Sequence, residues 1–347
     1  MKRLFLLFLL LVVLAGGGAA WMHSRIVTPY RGFTADEVFV ELPQGTGVAG
    51  IASRLVAAGV VPDEWTFRAA ARWSGLERRL QAGEYRFAEP ASPEMVVARL
   101  ARGDVYARSV TFPEGLTMFE AAAAYERSGL GTAADFTRAA SDGALVANFD
   151  PEARTLEGYL FPDTYALPRS AGVDVLVRTM VERFDAAFDQ TLRDEAAAQK
   201  LSAREVITLA SLVEKETAKP EERPTVAAVY RNRLRIGMPM QADPTVIYGL
   251  ILAKRWRGNL TRENLQFDSP YNTYRHAGLP PGPIASPGLA SLEAAARPAK
   301  VDHLFYVVKP GTCGEHSFSS TAAQFEADVA RYNEAREAAG GESPDSC

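Results

Sequence analysis

Cysteine is nearly absent from this chain. Only Cys313 and Cys347 occur in 347 residues, so no disulfide framework holds the fold, although the two can pair in an oxidising compartment if the C-terminus lies close. Positive charge is not in excess either: 38 Lys and Arg stand against 42 Asp and Glu, with a pI near 5.8. A nucleic-acid partner would call for a basic field, so none is expected. The four histidines (His23, His276, His303 and His316) are scattered. Without HExxH or Cys-x-x-Cys, no metal site is expected. The glycines never fall as GxGxxG after a strand or as a Walker loop, so no nucleotide cofactor is expected. There is no GxSxG elbow for a serine nucleophile, and no internal repeat. What remains is an ordinary apolar fraction and length enough for two or three domains.

Long apolar runs are also scarce, with one exception. Lys2 and Arg3 precede a charge-free stretch from Leu4 to Met22. As a helix it would reach roughly 28 Å, close to the thickness of a bilayer core. Basic residues before the run favour a cytoplasmic N-terminus with the rest of the chain across the membrane. A cleaved signal peptide is the rival reading, because small residues follow the apolar core. Trp21, Met22 and His23 stand where a small-x-small cleavage site would end, so an uncleaved anchor is preferred.

After a short linker, a compact unit is legible. Val38–Leu42 and Gly83–Phe87 read as strands. Helices are expected after Val48, after Asp63 and after Ser92, the last stopping at Gly103, with a further strand over Val105–Phe112. This unit holds no convergent ionisable groups and reads as a binding or spacing module. Beyond it, Pro113-Glu-Gly115 is a turn and Thr117 caps a helix. Val173–Gln199 reads as one long helix, Ser291 as the cap of a short one, and Thr321–Ala335 as the last.

Between those helices lies LSAREVITLASLVEKETAKP, residues 201–220. Ser202 and Glu205 have the spacing of a capping box, and Pro220 cannot continue a helix. At about 100° per residue, Val206, Leu209, Ala210, Val213 and Thr217 form one apolar stripe. Glu214 and Glu216 fall at its two edges. A carboxyl at such an edge is partly desolvated, which raises its pKa toward what a general acid needs. Both glutamates are equally compatible with the solvent face of an amphipathic helix. Glu216 is read as solvent-facing or structural.

Three polar, aromatic loops accompany this helix. LEGYLFPDTY (156–165) carries Glu157 and Tyr159. Carboxylates beside aromatic rings suit a sugar groove and suit a plain core equally. The loop GMPMQADPTVIYG (237–249) offers Gln241, Asp243, Thr245 and Tyr248, and YNTYRHAGLPPGPIASPG (271–288) offers Asn272, Thr273 and Tyr274 ahead of a rigid Pro/Gly wall. Loops of this kind beside well-formed helices are common places for function.

Taken with LASLVEKET (209–217), NRLRIGMPMQADPTVIYG (232–249) and GEHSFSSTAAQF (314–325), these segments resemble the endolytic murein transglycosylases of the MltG (YceG-like) family, in order and over almost the whole chain. The resemblance implies an α+β protein with an N-terminal membrane helix (1–25), a small LysM-like module (36–108) and a mixed α+β catalytic domain with a glycan groove (109–340). It implies a single-pass inner-membrane protein with a periplasmic catalytic domain. Its partners are peptidoglycan glycan strands, the inner membrane, and proteins of cell-wall synthesis or division. The expected activity is internal cleavage of glycan strands to leave a 1,6-anhydro-N-acetylmuramic acid end, without cofactor or metal.

The first glutamate of the VEKET motif, Glu214, takes the catalytic role by this resemblance. The supporting expectations are Gln241, Asp243, Thr245 and Tyr248 around the acid or the N-acetyl groups, Asn272, Thr273 and Tyr274 along the groove, and Glu157 and Tyr159 on its opposite wall. The alternatives are a hydrolytic muramidase pairing Glu214 with Asp243, a non-enzymatic anchored scaffold, and a metal-dependent amidase.

Overall fold

The computed structural model describes residues 2–169 and 171–344. The chain divides into two compact units, Met1–Ser109 with Ala166–Ala171, and Val110–Tyr165 with Gly172–Cys347. Cys347 lies outside the described residues, so its pairing with Cys313 does too.

The first unit begins with α1 (Lys2–Val27), whose stretch Phe8–Val27 is long and apolar enough to cross a membrane. Only its C-terminal end has a place in the fold: Ile26 joins the unit's core, and Arg25 pairs with Asp63 at 2.5 Å. There follow β1 (Val38–Leu42), α2 (Val48–Ala57), α3 (Glu64–Trp73), β2 (Gly83–Phe87) and α4 (Pro93–Arg102). β1 and β2 form an antiparallel ribbon with Val40 opposite Tyr85. Their alternate residues Val40, Leu42, Tyr85 and Phe87 turn inward onto Leu55, Phe67, Val97 and Leu100 from the three helices. Asp63 and Ser92 accept hydrogen bonds from Thr66 and Met95 backbone N–H groups as helix caps, which satisfies donors that the first turn leaves unpaired.

Most of β3 (Arg108–Phe112) and of β4 (Asp163–Leu167) belongs to the second unit, which also holds α5 (Met118–Arg127), α6 (Ala133–Ala140), α7 (Val173–Ala187), α8 (Gln190–Ala198), α9 (Ala203–Glu216), α10 (Arg223–Arg235), α11 (Asp243–Leu252), α12 (Leu289–Ala296), β5 (Phe305–Val308), β6 (His316–Ser319) and α13 (Ala322–Ala338). β3 pairs with β4, and β5 with β6 in an antiparallel hairpin. The long helix expected over Val173–Gln199 is two: α7 stops at Phe188, and Asp189 caps α8 by accepting from Leu192 N–H. Asp189, between Phe188 and Gln190, offers the backbone a new cap, and the buried ring of Phe188 fixes the bend.

Helix α9 lies at the centre of this unit, against α8, α10, α11 and α12. The expected one-sided stripe is too narrow a description: every residue from Val206 to Val213 is buried, Thr208 and Ser211 included. A buried hydroxyl is tolerated there where it finds hydrogen-bond partners inside the core. Ser211 illustrates this, donating to Thr208 O while accepting from Ile284 N–H.

Candidate active site

The capping box forms as expected, with Glu205 N–H donating to Ser202 Oγ and Ser202 N–H to the Glu205 carboxylate at 2.8 Å. The other end differs. The helix stops at Glu216, Thr217 turns to extended backbone, and Pro220 instead opens a single 3-10 turn. The last helical turn therefore emerges from the core with Glu214 and Glu216 on it, each aimed at a different neighbourhood.

Glu214 has a side chain only 6% exposed. One carboxylate oxygen accepts from Gly288 N–H at 3.0 Å and from the Ser291 hydroxyl at 2.7 Å. The other faces Arg223 Nη2 at 3.4 Å. Gly288 is the N-cap of α12 and Ser291 lies in its first turn, so the carboxylate sits where the helix dipole and free N–H groups favour negative charge. Ser291 is thus not the cap expected from sequence; Gly288 takes that place, and the serine hydroxyl is turned to Glu214.

A second carboxyl stands beside it. Glu114, in the Pro113–Gly115 turn, is 3.5 Å from the same Arg223 nitrogen, with its side chain half exposed. Partial burial and then the charge of Glu214 raise its pKa, while Arg223 opposes both. Gly288 admits this side chain, since a Cβ there would lie 1.9 Å from the Glu114 carboxyl. Gly115, at φ +78°, donates to Ser286 O and lies against the Glu214 stem, and Lys215 Nζ donates to Gly115 O at 3.1 Å. Glu114, Arg223, Gly288 and Ser291 were missed in the sequence because none of the four stands out in spacing. The Pro-Glu-Gly turn was the one available signal.

Glu216 is not solvent-facing. Burial raises its pKa to about 7, and the Tyr306 and Tyr230 hydroxyls are its hydrogen-bond partners, with Asp243 and Arg233 close enough to act on its charge. Tyr230 and Tyr306 hydroxyls are 2.7 Å apart. The Tyr274 hydroxyl donates to Asp243 at 2.6 Å. Asp243 therefore belongs to the surroundings of Glu216.

The remaining expected residues fall into two groups. Thr245 and Thr273 hydroxyls are 2.9 Å apart and buried, and the Thr273 hydroxyl also accepts from Ala242 N–H. Asn272, fully buried, donates its amide hydrogens to Leu265 O and Phe267 O. Together they fix the loop that carries Tyr274 and exposed Gln241, whose φ is +50°. The second group lines a cavity of about 850 Å³ that includes Arg154, Glu157, Tyr159, Arg204, Tyr248 and Tyr271. Glu157 accepts from Met118 N–H at the start of α5 and from the Tyr248 hydroxyl, and burial raises its pKa to about 8. Tyr159 is buried and donates to Asp150, which also holds Arg204 at 3.2 Å. Glu214 does not line this cavity. The two are joined by the Pro/Gly wall: Gly282 and Pro283 border the cavity, Ile284 is tied to Ser211, Ser286 to Gly115 and Leu116, and Gly288 to Glu214. Among the described residues, no group of three or more His, Cys, Asp or Glu is placed to hold a metal ion.

The profile of the YceG-like family matches residues 40–331. The chain belongs to that family. It is 30% identical to the endolytic murein transglycosylase of Bacillus subtilis over 341 residues, which is 91% of this chain and 90% of the relative. It is 28% identical to the endolytic murein transglycosylase of Streptococcus pneumoniae, covering 95% of this chain and 65% of that longer protein. A crystal structure of a yceG-like protein from Listeria monocytogenes aligns with a TM-score of 0.57 and 28% identity, over 84% of this chain and 98% of that one. The family profile thus covers most of this chain, and the chain covers nearly all of the solved YceG-like structure.

Proposed function

We propose that this YceG-like protein is an endolytic peptidoglycan lytic transglycosylase, cleaving the β-1,4 bond between N-acetylmuramic acid and N-acetylglucosamine within glycan strands. The observation that carries the reading is the setting of Glu214: one carboxyl, withdrawn from bulk water, held through one oxygen by Gly288 and Ser291. The relatives over nine-tenths of the chain bear the name of this activity.

The chemistry follows from that single group. Protonated Glu214 donates to the glycosidic oxygen. The C1–O bond breaks and its electron pair leaves with the N-acetylglucosamine hydroxyl. The carboxylate left behind takes the proton of the muramic C6 hydroxyl, and O6 closes on C1. Atoms balance without water, so the step is an elimination-type transfer and needs no second nucleophilic carboxylate. Gly288 N–H and Ser291 fix the carboxylate in one orientation through both proton transfers, which holds it in reach of two substrate oxygens.

The surrounding assignments belong to the same proposal. Gln241, Asp243 and Tyr274 form one polar rim of the glycan groove, with Asn272, Thr245 and Thr273 fixing it from beneath. Tyr248, Tyr159 and Glu157 hold the other wall from beneath, where the partly exposed Tyr271 ring faces the cavity. Residues 36–108 act as a LysM-like module and 109–340 as the catalytic domain. In the first unit, a groove of about 480 Å³ lined by Phe87, Pro90, Met95 and three arginines supports a binding role. α1 anchors the chain in the inner membrane with the catalytic domain in the periplasm, in reach of peptidoglycan and of cell-wall synthesis or division proteins.

The test is turnover of purified sacculi by the full-length protein. Glu214→Gln should lose activity by on the order of 10³-fold with folding intact. Full activity in that variant would remove Glu214 from the role, and no turnover by the unmodified protein would favour a scaffold.

A further inference from the structure

Glu214 is well placed to be an anion: three donors converge on it, one of them a guanidinium. A general acid must instead hold a proton at the start of the reaction. The geometry contains a device for this. Arg223 Nη2 stands almost equally far from two carboxylates, 3.4 Å from Glu214 and 3.5 Å from Glu114, tightly bound to neither. Among the described residues, its buried Nε has no hydrogen-bond partner, so no acceptor there fixes the guanidinium. Gly288 lets the Glu114 carboxyl approach closely from the turn.

We infer that Glu114 is a positioning residue for the reaction proposed above: it offers Arg223 an alternative carboxylate, leaving Glu214 free to carry the proton it must donate. Once Glu214 has given up that proton, the guanidinium is drawn toward the new carboxylate and steadies it until the C6 hydroxyl proton is taken. No atom is transferred to or from Glu114. The other charged groups nearby are otherwise engaged. Lys215 donates to Gly115 O, Glu222 is held by His316 at 2.7 Å, and Glu216 lies among Tyr230 and Tyr306. The remaining contacts to Glu214, from α12, are the neutral Gly288 N–H and Ser291 hydroxyl.

The experiment is a pH–rate profile of the full-length protein on isolated glycan strands, with kcat and KM separated. Removing the negative charge at position 114 leaves Arg223 to Glu214 alone. Glu114→Gln should move the alkaline limb of kcat/KM down by about 1 pH unit, with an activity loss of about 10-fold above that limb, little change below it, and KM nearly constant. Glu114→Asp, which keeps the charge, should restore most of the limb. Arg223→Gln should move the limb in the opposite direction, upward, so that a folding defect at either position cannot imitate the pair of results. A uniform loss at every pH, or limbs that stay in place in both variants, would overturn the inference while leaving Glu214 as the acid. Full activity in Glu214→Gln measured alongside would instead overturn the underlying reading.

Discussion

At the scale of single residues, the account turns on which groups hold Glu214. Ser291→Ala removes a 2.7 Å hydrogen bond to its carboxylate. Kinetics on glycan strands should show kcat falling by about 10-fold, the equivalent of roughly 1–1.5 kcal/mol, with KM little changed; an equal rise in KM would mean the hydroxyl serves substrate binding instead. Gly288→Ala should be accommodated by a shift of the half-exposed Glu114 carboxyl, which would otherwise stand 1.9 Å from the added carbon. The glutamate in α9 was legible in the sequence through its motif and its place at the edge of an apolar stripe. Its partners were not, since a serine, a glycine and an arginine up to 77 positions away carry no periodic signal. Of the two readings of Glu216, solvent-facing or structural, the first fails for a related reason: a helical wheel cannot foresee that Tyr230 and Tyr306 arrive from two other elements to cover it.

At the scale of elements, helix starts were readable and helix ends were less so. Asp63, Ser92, Thr117, Ser202 and Thr321 all accept hydrogen bonds from their first turns, because a capping side chain acts locally and leaves a local trace. The end of α9 four residues before Pro220, and the break between α7 and α8, depend on what those helices meet in the fold. Ser202→Ala should remove the bond that Ser202 Oγ accepts from Glu205 N–H, leave the residue 202 backbone N–H on the Glu205 carboxylate, and lower stability by about 1 kcal/mol. A thermal melt would register this as a drop of a few degrees with near-normal kcat at a permissive temperature, because the cap lies three turns from Glu214.

At the scale of the whole molecule, stability should depend on pH through Glu157. Its folded pKa is about 8 against an ordinary 4.5, with burial as the first cause. The folded state therefore holds a proton that the unfolded chain releases above pH 4.5, and stability declines as pH rises from that value through about 8. Glu216, raised to about 7, adds a decline of the same sign. Glu157→Gln keeps an acceptor for Met118 N–H and cannot ionise. Denaturation midpoints compared at pH 5 and pH 8 should fall less with pH in this variant than in the unmodified chain, by on the order of 2–4 kcal/mol in stability. An unchanged slope would show that Glu157 is not protonated at neutral pH.

A long apolar first helix, a pair of short strands and a series of capped helices were legible because each has its own local signal: a charge-free run, alternating residues and capping side chains. That α9 would be enclosed by four other helices was not, since that arrangement arises only when the second unit assembles.

The most direct test of the central claim is the mass of the ends left when the purified full-length protein cuts isolated glycan strands. Glu214, acting first as acid and then as base, predicts 1,6-anhydro-N-acetylmuramic ends, one water lighter than hydrolysed ends, and none of them with Glu214→Gln. Reducing ends that carry a full water, or anhydro ends still formed by that variant, would contradict it.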